Sequence, residues 1–140
     1  MNLYIFCDGA ARGNPGPSGA GAVLKDERGR IVAEVVAYLG DSRTNNEAEY
    51  EALILALEKA RELGATGVFC RADSKLVVEQ TLGRWKVKMP HLQPLRNRAA
   101  ELFQSFSRSD FRHIPREQNR EADVLANRAI DESSRGAHSR

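Results

Sequence analysis

The sequence predicts an α/β fold, a mixed β-sheet covered by helices, and three observations lead there. Short β-prone apolar runs at 2–8, 20–25, 31–39, 67–72 and 110–114 have the length and composition of strands. Stretches at 45–63, 74–82, 92–106 and 120–130 read as helices. Their order, βββαβααβα, places helical crossovers only after the third strand, which suits an antiparallel meander followed by parallel pairing.

Residues 2–8 (NLYIFCD) read as a buried strand that ends at Asp8 and enters a turn-rich stretch at 9–21 containing GNPGPSG. The runs at 20–25 and 31–39 are separated by Asp26-Glu27-Arg28-Gly29-Arg30, a hairpin connection. Thr44 followed three residues later by Glu47 has the form of a capping box, opening a helix at 45–63 that Gly64 stops. The strand at 67–72 ends at Asp73, and the helix at 74–82 is stopped by Gly83. Pro90 marks a break before the helix at 92–106, whose apolar stripe is Leu95, Ala99, Leu102, Phe103 and Phe106. Pro115 breaks the last strand, 110–114, and the final helix spans 120–130. One domain over residues 1–131 is expected, with a frayed polar tail at 132–140 (ESSRGAHSR).

A chain of 140 residues, 41% hydrophobic, buries one sizeable core. It has no run of about 18 apolar residues and no basic-then-apolar N-terminus, so neither a membrane span nor a signal peptide is read and a cytoplasmic protein is expected. Cys7 and Cys70 sit in apolar runs with no Cys or His at metal-ligand spacing, and are read as buried reduced thiols. The net charge of +2 is unevenly spread: residues 1–80 hold 9 Lys and Arg against 12 Asp and Glu, residues 81–140 hold 12 against 7. An acidic half that gathers cations and a basic half that meets phosphates suit a metal-dependent nuclease; an evenly solvated surface is the alternative.

Four acids occupy unusual places, because Asp and Glu are seldom buried without a partner. Asp8 closes the most apolar strand, where open α/β sheets place ligands, although a strand-ending Asp is also a turn former. Glu49 lies in register with Ala52, Leu53, Ala56, Ala60 and Leu63, on the core-facing stripe, and needs either a bound cation or an Arg or Lys partner. Asp73 ends a strand and precedes a helix, so it is an N-cap or, if the first and fourth strands pair in parallel, a neighbour of Asp8. Asp123 flanks the stripe Ala122, Leu125, Ala126 and Ala129. Oxygen ligands without His or Cys select hard cations such as Mg²⁺ or Mn²⁺, and carboxylates clustered at a positive groove suit two-metal phosphodiester hydrolysis.

These residues lie in four ordered segments: FCDGAARGNPGPSGAGAV at 6–23, TNNEAEYEALILAL at 44–57, ADSKLVVEQ at 72–80 and REQNREADVLAN at 116–127. Together they resemble the signature of ribonuclease H type 1, in the compact archaeal-like branch that lacks a long basic protrusion. The resemblance implies a five-stranded mixed sheet, a three-strand antiparallel meander plus two parallel strands, with helices on both faces. It also implies two Mg²⁺ ions, replaceable by Mn²⁺, among Asp8, Glu49, Asp73 and Asp123. The implied activity is hydrolysis of the RNA strand of RNA/DNA hybrids, leaving 5′-phosphate and 3′-hydroxyl ends, by a monomer with no obligate protein partner.

By the same resemblance Gly13 and Asn14 sit in a loop that approaches the minor groove, and Thr44, Asn45 and Asn46 form a polar cluster for phosphate or sugar. Without the motif the loop reads as a hairpin connection and Thr44 as a plain N-cap. Trp85 with Lys86 falls where the family presents an aromatic and cations to the DNA strand, although a lone Trp is more often core. Two departures stand out. The stretch 83–90 carries only Arg84, Lys86 and Lys88 in place of a longer protrusion, and the loop before Asp123 holds no His, so Arg116, not His113, is read as its substitute. Readings left open are an idle hybrid-binding domain, a nuclease with another substrate, and a small-molecule phosphatase.

Overall fold

The computed structural model describes residues 1–138, the side chains of 134–138 excepted. Its elements are β1 (Asn2–Ala11), β2 (Gly16–Lys25), β3 (Ile31–Arg43), α1 (Asn45–Glu62), β4 (Gly67–Ala72), α2 (Lys75–Thr81), α3 (Gln93–Gln104), β5 (Arg108–His113) and α4 (Arg120–His138). Short 3-10 turns at Pro90–Leu92 and Arg116–Gln118 precede α3 and α4. The five strands form one sheet in the order β3-β2-β1-β4-β5. β1, β2 and β3 pair antiparallel, whereas β4 runs parallel to both β1 and β5, as the order of elements predicts.

Alternation along β1 sends Leu3, Ile5 and Cys7 into the core beneath α1, where Leu53, Ala56 and Leu57 are also buried. α3 extends that layer with Leu102 and Phe103, the latter against Phe111 of β5 at 6.1 Å between ring centroids. Cys7 and Cys70 are free and buried, and burial pushes the Cys70 thiol up to about 12, so neither is a thiolate at neutral pH. Among the described residues no helix is long and apolar enough to cross a membrane.

α1 begins as the capping box predicts. Thr44 Oγ1 accepts from the Glu47 amide at 3.2 Å, and Glu47 Oε1 accepts from the Thr44 amide at 2.9 Å. The Thr44 amide holds the Glu47 carboxyl below its ordinary range. At the other end Gly64 takes a left-handed φ of 83°, closing the helix where expected.

The sequence misplaces several ends. β1 continues through Asp8 to Ala11, and β2 begins at Gly16, so much of the supposed turn-rich stretch is paired strand, Asp8 opposite Gly21 and Ala11 opposite Ser18. Gly19 and Gly21 serve a helix and not a turn. A Cβ on Gly19 would stand 2.2 Å from the Ala126 carbonyl oxygen, and one on Gly21 2.3 Å from that of Ala122, so their absence lets the α4 backbone settle directly on β2. β3 likewise runs on to Arg43, opposite Gly16. The helix expected at 92–106 starts as a 3-10 turn and ends at Gln104, and the last strand begins at Arg108. α4 passes the predicted stop at Ile130 and continues to His138. Of the tail expected to fray, residues 139–140 and the side chains of 134–138 lie outside the described residues.

Candidate active site

Parallel pairing aligns Phe6 with Arg71, so Asp8 within β1 and Asp73 just past the end of β4, each two residues further along, lie side by side. Glu49, one turn into α1, reaches the same point from above. Carboxylate oxygens of Asp8, Glu49 and Asp73 all lie within 4.8 Å of one another. Asp8 is buried, and Glu49 and Asp73 are half-buried. The inward reading of Glu49 is thereby correct, and its partners are other acids, not an Arg or Lys.

The approach of α1 depends on Gly9. A Cβ there would lie 2.2 Å from the Ala48 carbonyl carbon and 2.4 Å from the Glu49 nitrogen, a space only glycine leaves. The Gly9 amide also donates to Glu49 Oε1 at 2.7 Å. One residue therefore sets both the spacing and the orientation of the glutamate.

Three acids packed together resist ionisation. Burial raises the Asp8 carboxyl far above its ordinary range, and a hydrogen bond to Glu49 with the charges of Glu49 and Asp73 raises it further. Burial also raises Glu49, partly offset because it accepts from Asp8 and from the Gly9 amide. Without a cation, then, a proton shared by the pair resides on Asp8. The stability this contributes is complete below the ordinary carboxyl range and is lost as pH rises through the raised folded-state values. In chelator, the melting temperature of wild type relative to an Asp8→Asn variant should accordingly fall as pH rises from about 5 to about 8; a constant difference would show that the cluster carries no such strain.

Asp123 lines the same groove but stands outside the tight trio. It contacts Asp8 through a side-chain hydrogen bond and accepts from Asn127 Nδ2 at 3.3 Å. Sequence reasoning missed Asn127, which lines the groove, and Asn119. Asn119 is buried, donates from Nδ2 to the Cys7 carbonyl at 2.9 Å, and gives its own carbonyl to the Asp123 amide at 3.1 Å. It thus ties the start of α4 to the strand residue before Asp8. Asn127 reads as part of a solvated helix face and Asn119 as a polar loop residue, which is why neither stood out.

The groove encloses about 480 Å³ and is also lined by Arg12, Asn45, Asn46, Ser74 and Arg116. Asn14 Oδ1 accepts from the Asn45 amide at 3.0 Å, joining the β1–β2 loop to the first turn of α1. Gly13 has a φ of 99°, which the loop's reversal requires. Thr44 is the α1 cap, and Gly13, Asn14 and Thr44 flank the groove without lining it. Arg116 is exposed on the rim, whereas His113, exposed at the end of β5, does not line it. Trp85 is 45% exposed, which removes the core alternative, and Lys75 Nζ lies 5.9 Å from its ring centroid. Trp85 and Lys86 line a second cleft with Leu76 and Met89, and Asn46 borders both clefts.

Mixed sheet and converging acids define an α/β protein with an acidic groove assembled from distant chain segments, and a family model described as reverse transcriptase-like matches residues 6–129. The chain is 45% identical over 131 residues, 94% of its length, to ribonuclease HI of Halobacterium salinarum, and spans 65% of that relative. It is 35% identical to ribonuclease H of Alcanivorax borkumensis, covering 94% of this chain and 93% of the other. The solved structure of LC11-RNase H1 in complex with an RNA/DNA hybrid superposes with a TM-score of 0.87 at 45% identity, covering 94% of this chain and 98% of that one. The chain belongs to the ribonuclease H family.

Proposed function

We propose that the protein is an endoribonuclease that hydrolyses the RNA strand of RNA/DNA hybrids with two divalent ions, leaving 5′-phosphate and 3′-hydroxyl ends. The observation that carries this reading is the meeting of Asp8, Glu49 and Asp73 within 4.8 Å, in a groove that Asn45, Asn46 and Arg116 also line. Similarity to a ribonuclease H1 solved with a hybrid supports the substrate class.

The donor set fits a hard divalent cation. It is all oxygen, it is crowded enough to hold protons it would otherwise lose, and no basic side chain among the described residues is hydrogen-bonded to the trio. Asp8, Glu49, Asp73 and Asp123 are the residues that would hold Mg²⁺ or Mn²⁺. Such ions, when bound, supply a nucleophilic water at neutral pH and charge neutralisation at the leaving oxygen. Glu49, which lines the groove, is kept oriented by the Gly9 amide. Burial of Asp8 lowers the local dielectric, which strengthens its hold on a cation relative to water.

The substrate contacts follow the groove. Asn14, braced on Asn45, presents the β1–β2 loop to the RNA strand, where 2′-hydroxyl groups distinguish RNA from DNA. The start of α1, with half-buried Thr44 and Asn46 and exposed Asn45, offers polar groups to phosphate or sugar. Trp85 and Lys86 in the adjoining cleft serve the DNA strand, so Trp85→Ala should weaken hybrid binding about 10-fold, within the ~1–3 kcal/mol that an aromatic contact is worth, while turnover at saturation is kept. Equal affinity in a binding titration would remove Trp85 from the interface.

The test of the whole reading incubates the pure protein with end-labelled RNA/DNA hybrid, double-stranded RNA, single-stranded RNA and double-stranded DNA, each with Mg²⁺ and with chelator. Internal cuts confined to the RNA of the hybrid, and only with metal, are expected. Binding without cleavage would mark an idle hybrid-binding domain, and cleavage of another substrate would move the specificity.

A further inference from the structure

Asp123 differs from the other three acids in its support. Asp8 and Asp73 are fixed by strand pairing and Glu49 by the Gly9 amide, whereas Asp123 sits on the first turn of a helix, outside the tight trio. Besides its contact with Asp8, its side chain is held by Asn127, one turn further along α4. Asn127 Nδ2 donates to the Asp123 carboxylate at 3.3 Å and to the Asp123 carbonyl at 3.1 Å. An amide can turn either end toward a neighbour, and turned the other way Asn127 would set an oxygen against the carboxylate.

The choice of end is made by Arg12, at the tip of the β1–β2 hairpin. Arg12 Nη2 donates to Asn127 Oδ1 at 3.3 Å and to the Asn127 carbonyl at 3.4 Å, while Nη1 pairs with Asp131 at 2.7 Å. A planar guanidinium gripped at both ends has a fixed orientation, so the side of Asn127 it meets must be the acceptor oxygen. The donor end is then committed to Asp123. The network joins the hairpin to α4 across 115 residues of sequence.

We propose that Arg12 and Asn127 are positioning residues for the fourth carboxylate, Arg12 acting through Asn127 to orient Asp123 toward the divalent-ion site. The inference rests on the reading of Asp123 as a metal ligand. A hydrogen-bonded partner behind a ligating group is typically worth roughly 10- to 100-fold in metal affinity or activity. Arg12 and Asp131 are each about half exposed, side chains at 46% and 48%, so loss of the pair leaves the melting temperature of the metal-free protein near that of wild type.

The experiment is a double-mutant cycle on the full chain. Wild type, Arg12→Ala, Asn127→Ala, the double variant and Arg12→Lys are titrated with Mn²⁺ by calorimetry, without nucleic acid, and then assayed for hybrid cleavage across Mg²⁺ concentration. Asn127→Ala should weaken Mn²⁺ binding about 10-fold and shift the Mg²⁺ midpoint for cleavage upward by a similar factor. Arg12→Ala should do the same to a smaller extent, Arg12→Lys should recover part of the loss, and the double variant should be no worse than Asn127→Ala alone. Additive effects would overturn the relay through Asn127. Metal midpoints equal to wild type in a normally responding protein would overturn the inference alone. A wild type that neither binds Mn²⁺ nor cleaves hybrid would take down the assignment of activity and this inference with it.

Discussion

Asp8→Asn protein should bind RNA/DNA hybrid and leave it uncut. Asp8 is the most buried of the acids and the one that the other carboxylates crowd, so its charge is what a cation in the groove must balance. Removing it withdraws an oxygen ligand at the point where the β1 and β4 chain ends meet, and cleavage should fall by about 10³-fold or more, the factor that corresponds to ~4 kcal/mol of barrier. The same substitution should raise the melting temperature in chelator by about 3 °C, because an amide keeps a hydrogen bond to Glu49 without having to hold a proton that the unfolded chain gives up at neutral pH. Adding Mg²⁺ should narrow the difference by stabilising wild type. A variant that still cuts at more than about a tenth of the wild-type rate would break the two-metal assignment, and one that melts well below wild type in chelator would show that Asp8 stabilises the fold instead of straining it.

Gly9→Ala is the second large effect, and it acts without touching a reacting group. The added carbon would lie 2.2 to 2.4 Å from the backbone of Ala48 and Glu49, and no side chain is available to turn aside. Either β1 bends or α1 lifts away, and the Gly9 amide parts from Glu49 in both cases. Stability should drop by about 3 kcal/mol, the upper part of the range for overpacking a close contact. Activity should drop about 100-fold further than the loss of folded protein accounts for, since a displacement of ~1 Å at a catalytic group has that consequence. Thermal denaturation and cleavage measured on the folded fraction separate the two effects. A variant equal to wild type in both would mean that the helix has slack that the structure does not show.

The sequence exposes some of this directly and hides the rest for physical reasons. The capping box at Thr44 and Glu47, the strand Gly67–Ala72 and the inward placement of Glu49 depend on local pattern, and each is found where the pattern puts it. The ends of β1 and β2 do not, because a glycine that makes room for a helix looks the same as one that makes a turn. Gly19 and Gly21 acquire their meaning from Ala122 and Ala126, about a hundred residues away, and no window of sequence contains both. The same blindness covers Asn119 and Asn127. Each is a polar residue in a polar segment, and only the third dimension brings Cys7 to one and Arg12 to the other. Asp123 was legible as a suspect acid by its place beside an apolar stripe, but its distance from the trio was not.

The four acids enter the world in chain order, and the arrangement of the sheet decides when they meet. Asp8 and Glu49 lie on β1 and α1, yet β1 finds its parallel neighbour only when β4 has been made, and the fourth acid arrives on α4. A growing chain that folds as it emerges therefore holds an incomplete cluster until the segment that carries Asp123 has been made. On this architecture a half-made copy near the ribosome has no complete hydrolytic centre to turn on neighbouring RNA. With Asp123 in its proposed role, the nuclease becomes competent only once α4 has settled onto the two glycines of β2.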